Sequence, residues 1–409
     1  MSTPAAATGA RTAREVIVVG GGPAGSTAAN FLASNGHDVL LLEKEVFPRF
    51  HIGESLLPID VPLFERLGVE LPRERFIKKA GAEFIDEATG ETKTFLFDQA
   101  LQGTPPYAFQ VERAHFDQLL LRQAGKRGAE VREGVKVEGI TFDEAGAGPV
   151  RVDSSAGAFE ARFLIDATGQ DAFLARSNRT VEPLKGFGRA AVFRHYEPLR
   201  PEIAAELYDT GNIKVLMIPD GWMWLIPLSG NKLSVGLVNR GTNSPEALAE
   251  ATARSPLIQR LIAGTEATEP RIIRNFSYRN RRAYGARFAC AGDASCFLDP
   301  VFSSGVSLGM LSAESVAGIL SPALREGREA DPDLMKAHAK KMEVGYRSFA
   351  GLIHRFYNAG LVHKLFFQDT EGEPLRPGIT SVLGCDLWRD DNPFQQILLR
   401  SLPPEAWPE

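Results

Sequence analysis

"EVIVVGGGPAGSTAANFLASNGHDVLLLEKE", residues 15–45, decides the fold. Four apolar residues, Val16 to Val19, read as a buried strand. A glycine turn follows, then a helix of small residues from Pro23, then a second apolar run, Val39 to Leu42, that ends on Glu43. Strands covered on both faces read as unbroken apolar runs, and strand, helix, strand in this order makes a parallel βαβ unit. Gly20, Gly22 and Gly25 form GxGxxG at the first strand-to-helix turn. The first glycine permits the tight turn, the second lets the backbone approach a pyrophosphate, and the third lets helix and strand pack closely. Glu43 stands where a ribose hydroxyl needs an acceptor. Together these features predict a dinucleotide-binding lobe.

Two apolar pieces far downstream, "ARFLIDATG" at 161–169 and "ARFACAGDA" at 286–294, read as further strands of this lobe. Between them "RAAVFRHY", "IKVLMIP", "WMWLIPL" and "KLSVGLVNR" are separated by Gly, Pro, Asn and Asp, the signature of antiparallel strands. The expected fold is α/β. A Rossmann-like lobe is built from 15–60, 106–180 and 281–330, with an antiparallel-sheet lobe from 61–105 and 181–280 inserted into it. Residues 1–14 read as a disordered start. From 331 to 409 a helical segment and tail are expected: Met342, Tyr346, Phe349, Ile353 and Phe356 recur at helical spacing in a helix from about 333 to 367, before an irregular, Pro-containing end.

Composition narrows the function classes. The chain has 409 residues, 44% of them hydrophobic, with a formal charge of -5, so it can bury a large core and lacks the basic excess of a nucleic-acid binder. The first 14 residues lack the apolar core of a signal peptide, and no apolar run reads as the roughly 20 residues of a membrane span, so a cytoplasmic protein is expected. Cys290, Cys296 and Cys385 form no CxxC pair and the seven histidines form no HExxH, so neither disulfides nor a metal site is expected.

"LIDATGQD" (164–171) and "ACAGDASCFLDP" (289–300) resemble the flavin-contact motifs of the FAD-dependent monooxygenase-like superfamily. That resemblance implies bound FAD, with Gly292 and Asp293 at its ribityl and pyrophosphate portion and Ala24 and Arg49 among its contacts. "PRFHIGESLLP" (48–58) and "YAFQVERAHFDQLLLRQA" (107–124) are similar to two cousin groups, the flavin-dependent halogenases and the geranylgeranyl reductases. "WMWLIP" (222–227) is an intact WxWxIP and "KAGAEF" (79–84) matches KxGAxF, two hallmarks of the halogenases. Alternation along the strand puts Trp222, Trp224 and Ile226 on one face and Met223 and Leu225 on the other.

The halogenase resemblance implies that FADH2, dioxygen and chloride or bromide generate hypohalous acid. Lys79 is then the catalytic ammonium that holds and aims the oxidant, and the amides of Ser304 and Gly305 in "DPVFSSGVSLG" face the halide. Trp222 and Trp224 keep organic substrate away from the flavin. The implied partners are a separate NAD(P)H flavin reductase and an aromatic substrate, free or tethered to a carrier protein. Tryptophan halogenases carry a glutamate two residues before the serine or threonine of that turn; here the position is Phe302. "FSSGV" therefore resembles the phenol and pyrrole branch. No catalytic base stands out in the sequence. Two alternatives are a geranylgeranyl-reductase-like or monooxygenase-like flavoprotein, which WxWxIP and Lys79 argue against, and an inactive flavin-binding homologue, which the intact cofactor motifs argue against.

Overall fold

The computed structural model describes residues 12–143, 148–187, 190–219, 221–239, 241, 243–274, 277–357, 375–403 and 407. The opening stretch forms β1 (Thr12–Val19), α1 (Pro23–Ser34) and β2 (Val39–Leu42). β1 pairs in parallel with β2 on one side and with Gly157–Asp166 on the other; Phe288–Cys290 and Glu130–Arg132 extend the sheet in parallel on the two sides, and Tyr284–Gly285 adds an antiparallel edge to the former. The strands are apolar because both faces are covered: Val16, Val18, Val39 and Leu41 face a cluster with α1 and the long helix Ser304–Glu326, and Ile17, Leu40 and Leu42 face another. Thr12–Arg14, expected within a disordered start, belong to β1, and residues 1–11 lie outside the described residues. Arg14 is tied down by ion pairs to Asp38 and Glu130.

A second sheet carries Ala190–Glu197, Lys232–Asn239, Gly221–Leu228, Ile213–Ile218, Gly81–Asp86 and Thr92–Leu96 in that order. It is mixed rather than purely antiparallel. Ile213–Ile218 pairs in parallel with Gly81–Asp86, a strand from much earlier in the chain, and that join brings the lysine motif to within one strand of the tryptophan strand. Trp222, Trp224 and Ile226 project into the largest core cluster, whereas Met223 and Leu225 pack with residues of the helices Pro201–Thr210, Pro245–Arg254 and Pro256–Ile262 on the opposite face. The alternation read in the sequence is thus the alternation in space.

The helix expected from about 333 spans Lys336–Tyr357, and its apolar stripe is buried; the continuation to 367 lies outside the described residues. The end of the chain is less irregular than expected. Arg376–Leu383 and Pro393–Arg400 are helices, each begun by a proline in its first turn, where the missing N–H costs nothing. One helix, Ser304–Glu326, is long and apolar enough to cross a membrane, contrary to the reading of the sequence. Its mixture of Gly, Ala and Ser with Leu and Val hides that property, and 67% of its most apolar window is buried against the sheet of β1 and neighbouring helices, as in a core helix.

Candidate active site

A cavity of about 1020 Å³ runs from the glycine turn to the second sheet. At its nucleotide end each glycine has a distinct reason. Gly20 has φ +104°, and a Cβ there would lie 2.2 Å from the Ala167 carbonyl oxygen; one on Gly25 would lie 1.8 Å from the Gly20 carbonyl oxygen. At Gly22 the nearest atom to such a Cβ is Arg49 Nη2, at 3.7 Å, so this position opens onto a guanidinium across free space. An amide-lined helix start facing an arginine suits a pyrophosphate. Glu43 is buried and accepts from the amides of Gly21 (2.5 Å) and Glu45 (2.8 Å), so its carboxylate braces the turn as well as bordering the cavity. Because Gly22 has an ordinary extended conformation, Gly22→Val is expected to fold and to be purified without flavin; retained flavin would contradict the pyrophosphate role.

The 48–58 loop arches over the middle of the cavity. Asp117, fully buried, accepts from Arg113 Nε (2.6 Å) and Nη2 (2.9 Å) and from Arg49 Nη1 (2.7 Å). Burial alone would raise this carboxyl, but the two guanidiniums hold it below its ordinary value. Arg113 also donates to the Ile52 carbonyl and crowds Gly53, whose φ of +101° no L side chain adopts readily. His51 is driven down to about 4 by burial and by Arg113, so its ring is neutral near pH 7. Its Nδ1 donates to the Ile52 carbonyl (2.7 Å), which leaves Nε2 as an acceptor. Glu54 accepts from His195 Nε2 (2.7 Å), and its Oε2 is buried without a hydrogen-bond partner among the described residues.

The far end is aromatic. Trp222, Trp224 and Phe193 line it, with ring centroids 5.8 Å apart for the tryptophan pair and 5.7 Å for Phe193 and Trp224. Both indole N–H groups are satisfied behind the wall, Trp222 by Tyr357 Oη (3.0 Å) and Trp224 by Ser234 Oγ (3.1 Å). Tyr357 in turn donates to Asp299 Oδ2 (2.7 Å), and Asp299 Oδ1 accepts from the Val301 amide (3.0 Å). The long helix Ser304–Glu326 begins beside this turn. Ser303, in the left-handed region at φ +58°, precedes it without a side-chain cap, and Gly305 lines the cavity while Ser304 is buried. Uncapped amides at a helix start attract anions. Gly292, at φ +62°, packs against Ala24 and Gly309, and Asp293 faces the cavity, where burial pushes its carboxyl up to about 7 despite Arg113.

Lys79 ends the strand Phe76–Lys79 and is 1% exposed. Its ammonium donates to Ser55 Oγ (2.9 Å) and to the Leu56 carbonyl (2.9 Å), with the Phe97 ring centroid 5.3 Å away. Ser55 borders the cavity, so Lys79 sits directly behind the cavity lining rather than in it. Its neighbour Lys78 points outward over Tyr107, as alternation requires. Phe302 is buried against Phe84 and Phe356, in a setting that holds no carboxylate at that position.

Sequence reading passed over Ser303, the Glu54–His195 pair, Asp60, and the Asp299–Tyr357 support of Trp222. His195, Tyr357 and Asp60 carry no motif of their own; each matters through a residue distant in sequence. The three cysteines are buried and unpaired, and no metal-binding cluster is found among the described residues.

Comparisons with known proteins place the chain in a family. The tryptophan halogenase family profile matches residues 15–105 and 97–385. A tryptophan 2-halogenase of Chondromyces crocatus is 38% identical over 332 residues, covering 75% of this chain; the chain spans 62% of that relative's length. A 1H-pyrrole-2-carbonyl-[peptidyl-carrier protein] chlorinase of Pseudomonas fluorescens is 28% identical, covering 87% of this chain and 86% of its own. Among solved structures, a flavoprotein/dehydrogenase of Cytophaga hutchinsonii superposes with a TM-score of 0.83 at 29% identity, covering 95% and 96% of the two chains. A triple variant of a flavin-dependent brominase gives 0.82 at 26%, covering 95% and 98%.

Proposed function

The chain belongs to the tryptophan halogenase family of flavin-dependent halogenases, and from that premise we propose that it halogenates an electron-rich aromatic, phenolic or pyrrolic, with chloride or bromide. The observation that carries the reading is Lys79: a fully buried ammonium directly behind the lining of a flavin-sized cavity, on the strand before the one that joins the tryptophan sheet. FAD is the family's cofactor, and the residues here fit it. Gly20, Gly22, Ala24 and Gly25 with Arg49 would hold the pyrophosphate, Glu43 the ribose, and Gly292 with Asp293 the ribityl portion. When bound and reduced, FAD supplies the electrons with which dioxygen oxidises halide to hypohalous acid.

The chain's own residues do the rest. Amides at Ser304 and Gly305 hold the halide at the helix start. Trp222 and Trp224 wall off the organic substrate, so that only a small oxidant leaves the cavity. Ser55 is the contact through which the cavity meets Lys79, whose ammonium receives and polarises the oxidant in a site free of competing water. Phe302, in place of a carboxylate, favours a substrate whose own oxygen or nitrogen supplies electron density over an indole that needs assistance. Reduced flavin comes from a separate NAD(P)H reductase in the cytoplasm, and the similarity to the carrier-protein chlorinase supports a tethered substrate as one form of the ring.

Purified protein with FAD, a flavin reductase, NADH, bromide and a panel of phenols and pyrroles is expected to give brominated products recognisable by isotope pattern. Hydroxylated or reduced products without halogen would support the monooxygenase-like or reductase-like reading instead. Replacing both Trp222 and Trp224 by Ala should destabilise the core by about 3–5 kcal/mol per ring. Where folded, the double variant should yield hydroxylated product at the expense of halogenated product. An unchanged product ratio would return the pair to packing alone.

A further inference from the structure

We propose that Glu54 and His195 form a proton relay that carries solvent protons into the cavity during halide oxidation. The inference rests on the halogenase reading and gives a task to a pair that this reading leaves without one. Glu54 lines the cavity and is 1% exposed. Its carbonyl accepts from the Val111 amide (2.7 Å), and its Oε1 lies 2.7 Å from His195 Nε2, so the side chain is held at both ends. Its Oε2 is buried with no hydrogen-bond partner among the described residues. A dry, unpaired carboxylate oxygen is costly, and on a residue that borders a cavity its natural partner is a proton or a molecule taken into that cavity. His195 shares the cavity side of the strand Ala190–Glu197 with Ala191 and Phe193. Its Nδ1 has no hydrogen-bond partner among the described residues, and the side chain keeps 9% exposure, a narrow opening to water. Phe50, at the cavity lining and 37% exposed, packs on the imidazole at 5.9 Å between centroids. The pair therefore joins a ring open to solvent with a carboxyl group at the cavity.

Halide oxidation needs such a path. FADH2, dioxygen, one halide ion and one proton give FAD, hypohalous acid and one water, so every turnover draws a proton into the cavity. Other carboxyl groups there are already engaged. Glu43 accepts from the amides of Gly21 and Glu45, Asp299 accepts from the Val301 amide and from Tyr357, and Asp293 stands at the ribityl portion. Glu54 is joined instead to an imidazole, the side chain that gives and takes protons at two separate atoms. In the forward step a solvent acid gives its proton to Nδ1, the Nε2–H bond breaks as Oε1–H forms, and the proton that Glu54 carried on Oε2 passes to the cavity. The pair keeps its net charge throughout. Between turnovers, when flavin exchanges and water enters, the carboxyl group turns and the imidazole returns to its first tautomer through that water.

Glu54→Gln keeps the shape and an acceptor for His195 but carries no proton. In single turnovers of protein loaded with reduced FAD and mixed with oxygen, bromide and a phenol, it is expected to slow halogenation by about 10²-fold or more while FAD stays bound. His195→Ala should show a similar loss that added imidazole restores in proportion to its protonated form, a rescue that a merely structural role does not give. Imidazole should not restore Glu54→Gln, where the last carrier is missing. Flavin-free protein labelled with 15N-histidine gives a readout apart from turnover. The proton between His195 Nε2 and Glu54, identified by its absence in His195→Ala, should resonate far downfield and be lost in Glu54→Leu. Full halogenation by Glu54→Gln, failure of imidazole to restore a folded His195→Ala protein, or an Nε2 proton unmoved in Glu54→Leu would each overturn the relay. Absence of any halogenation by the unaltered protein would sink the functional reading and the purpose of the relay with it, whereas the three preceding results strike the relay alone.

Discussion

Lys79→Ala is expected to cost about 10³-fold or more in halogenated product while NADH consumption and hydrogen peroxide release continue. The expectation follows from where the side chain sits. It meets the cavity only through Ser55, so its removal leaves the glycine turn, the 48–58 loop and the amides at the start of Ser304–Glu326 in place. Alanine also leaves Ser55 Oγ and the Leu56 carbonyl without their cation in a dry site, so Lys79→Met is the companion that keeps the volume. Both variants should take up FAD and oxidise reduced flavin at the unaltered rate. Halogenated product from a well-folded Lys79→Met protein would remove the lysine from the mechanism and shift attention to Glu54, which borders the cavity and pairs with the buried His195.

The second large effect is on the loop over the flavin cavity. Asp117→Asn turns a fully buried carboxylate held by two guanidiniums into a neutral amide, and breaking such a pair costs roughly 3–5 kcal/mol because the remaining charges stay buried. Arg113 would lose the partner that aims it at Ile52, and Arg49 would lose its anchor beside Gly22. A lower denaturation midpoint together with loss of FAD is therefore expected, measured by urea unfolding and by flavin content after gel filtration. An unaltered midpoint with full flavin content would mean that other contacts hold the loop. The same group gives the protein a pH dependence. Its folded value lies below its unfolded value of about 3.9, so its stabilisation is present above pH 4 and is lost as pH falls through the folded value.

What could be read from the amino acids was whatever is written locally. The βαβ unit, its glycines and the face on which Trp222 and Trp224 lie depend on neighbours a few residues away, through strand alternation and the limits of backbone torsion. Lys79 was legible for a different reason: it stands in a short pattern shared with the halogenases. The tail reads as irregular because two short helices, each with proline in its first turn and separated by a stretch holding Gly384, Asp386, Asp390 and Asp391, leave no long periodic signal.

Other features depend on contacts between distant segments, and sequence order does not encode those contacts visibly. A parallel pairing of Ile213–Ile218 with Gly81–Asp86 puts the lysine motif one strand away from the tryptophans across more than a hundred residues. Tyr357 reaches Trp222, His195 reaches Glu54, and Ser307 reaches Asp60 in the same way. The sequence by itself determined the cofactor class and the chemistry of individual groups, since these follow from residue type and short spacing. Only the tertiary structure decided which of those groups are dry, which are paired and which charge each can keep, because burial and long-range pairing set the cost of a charge.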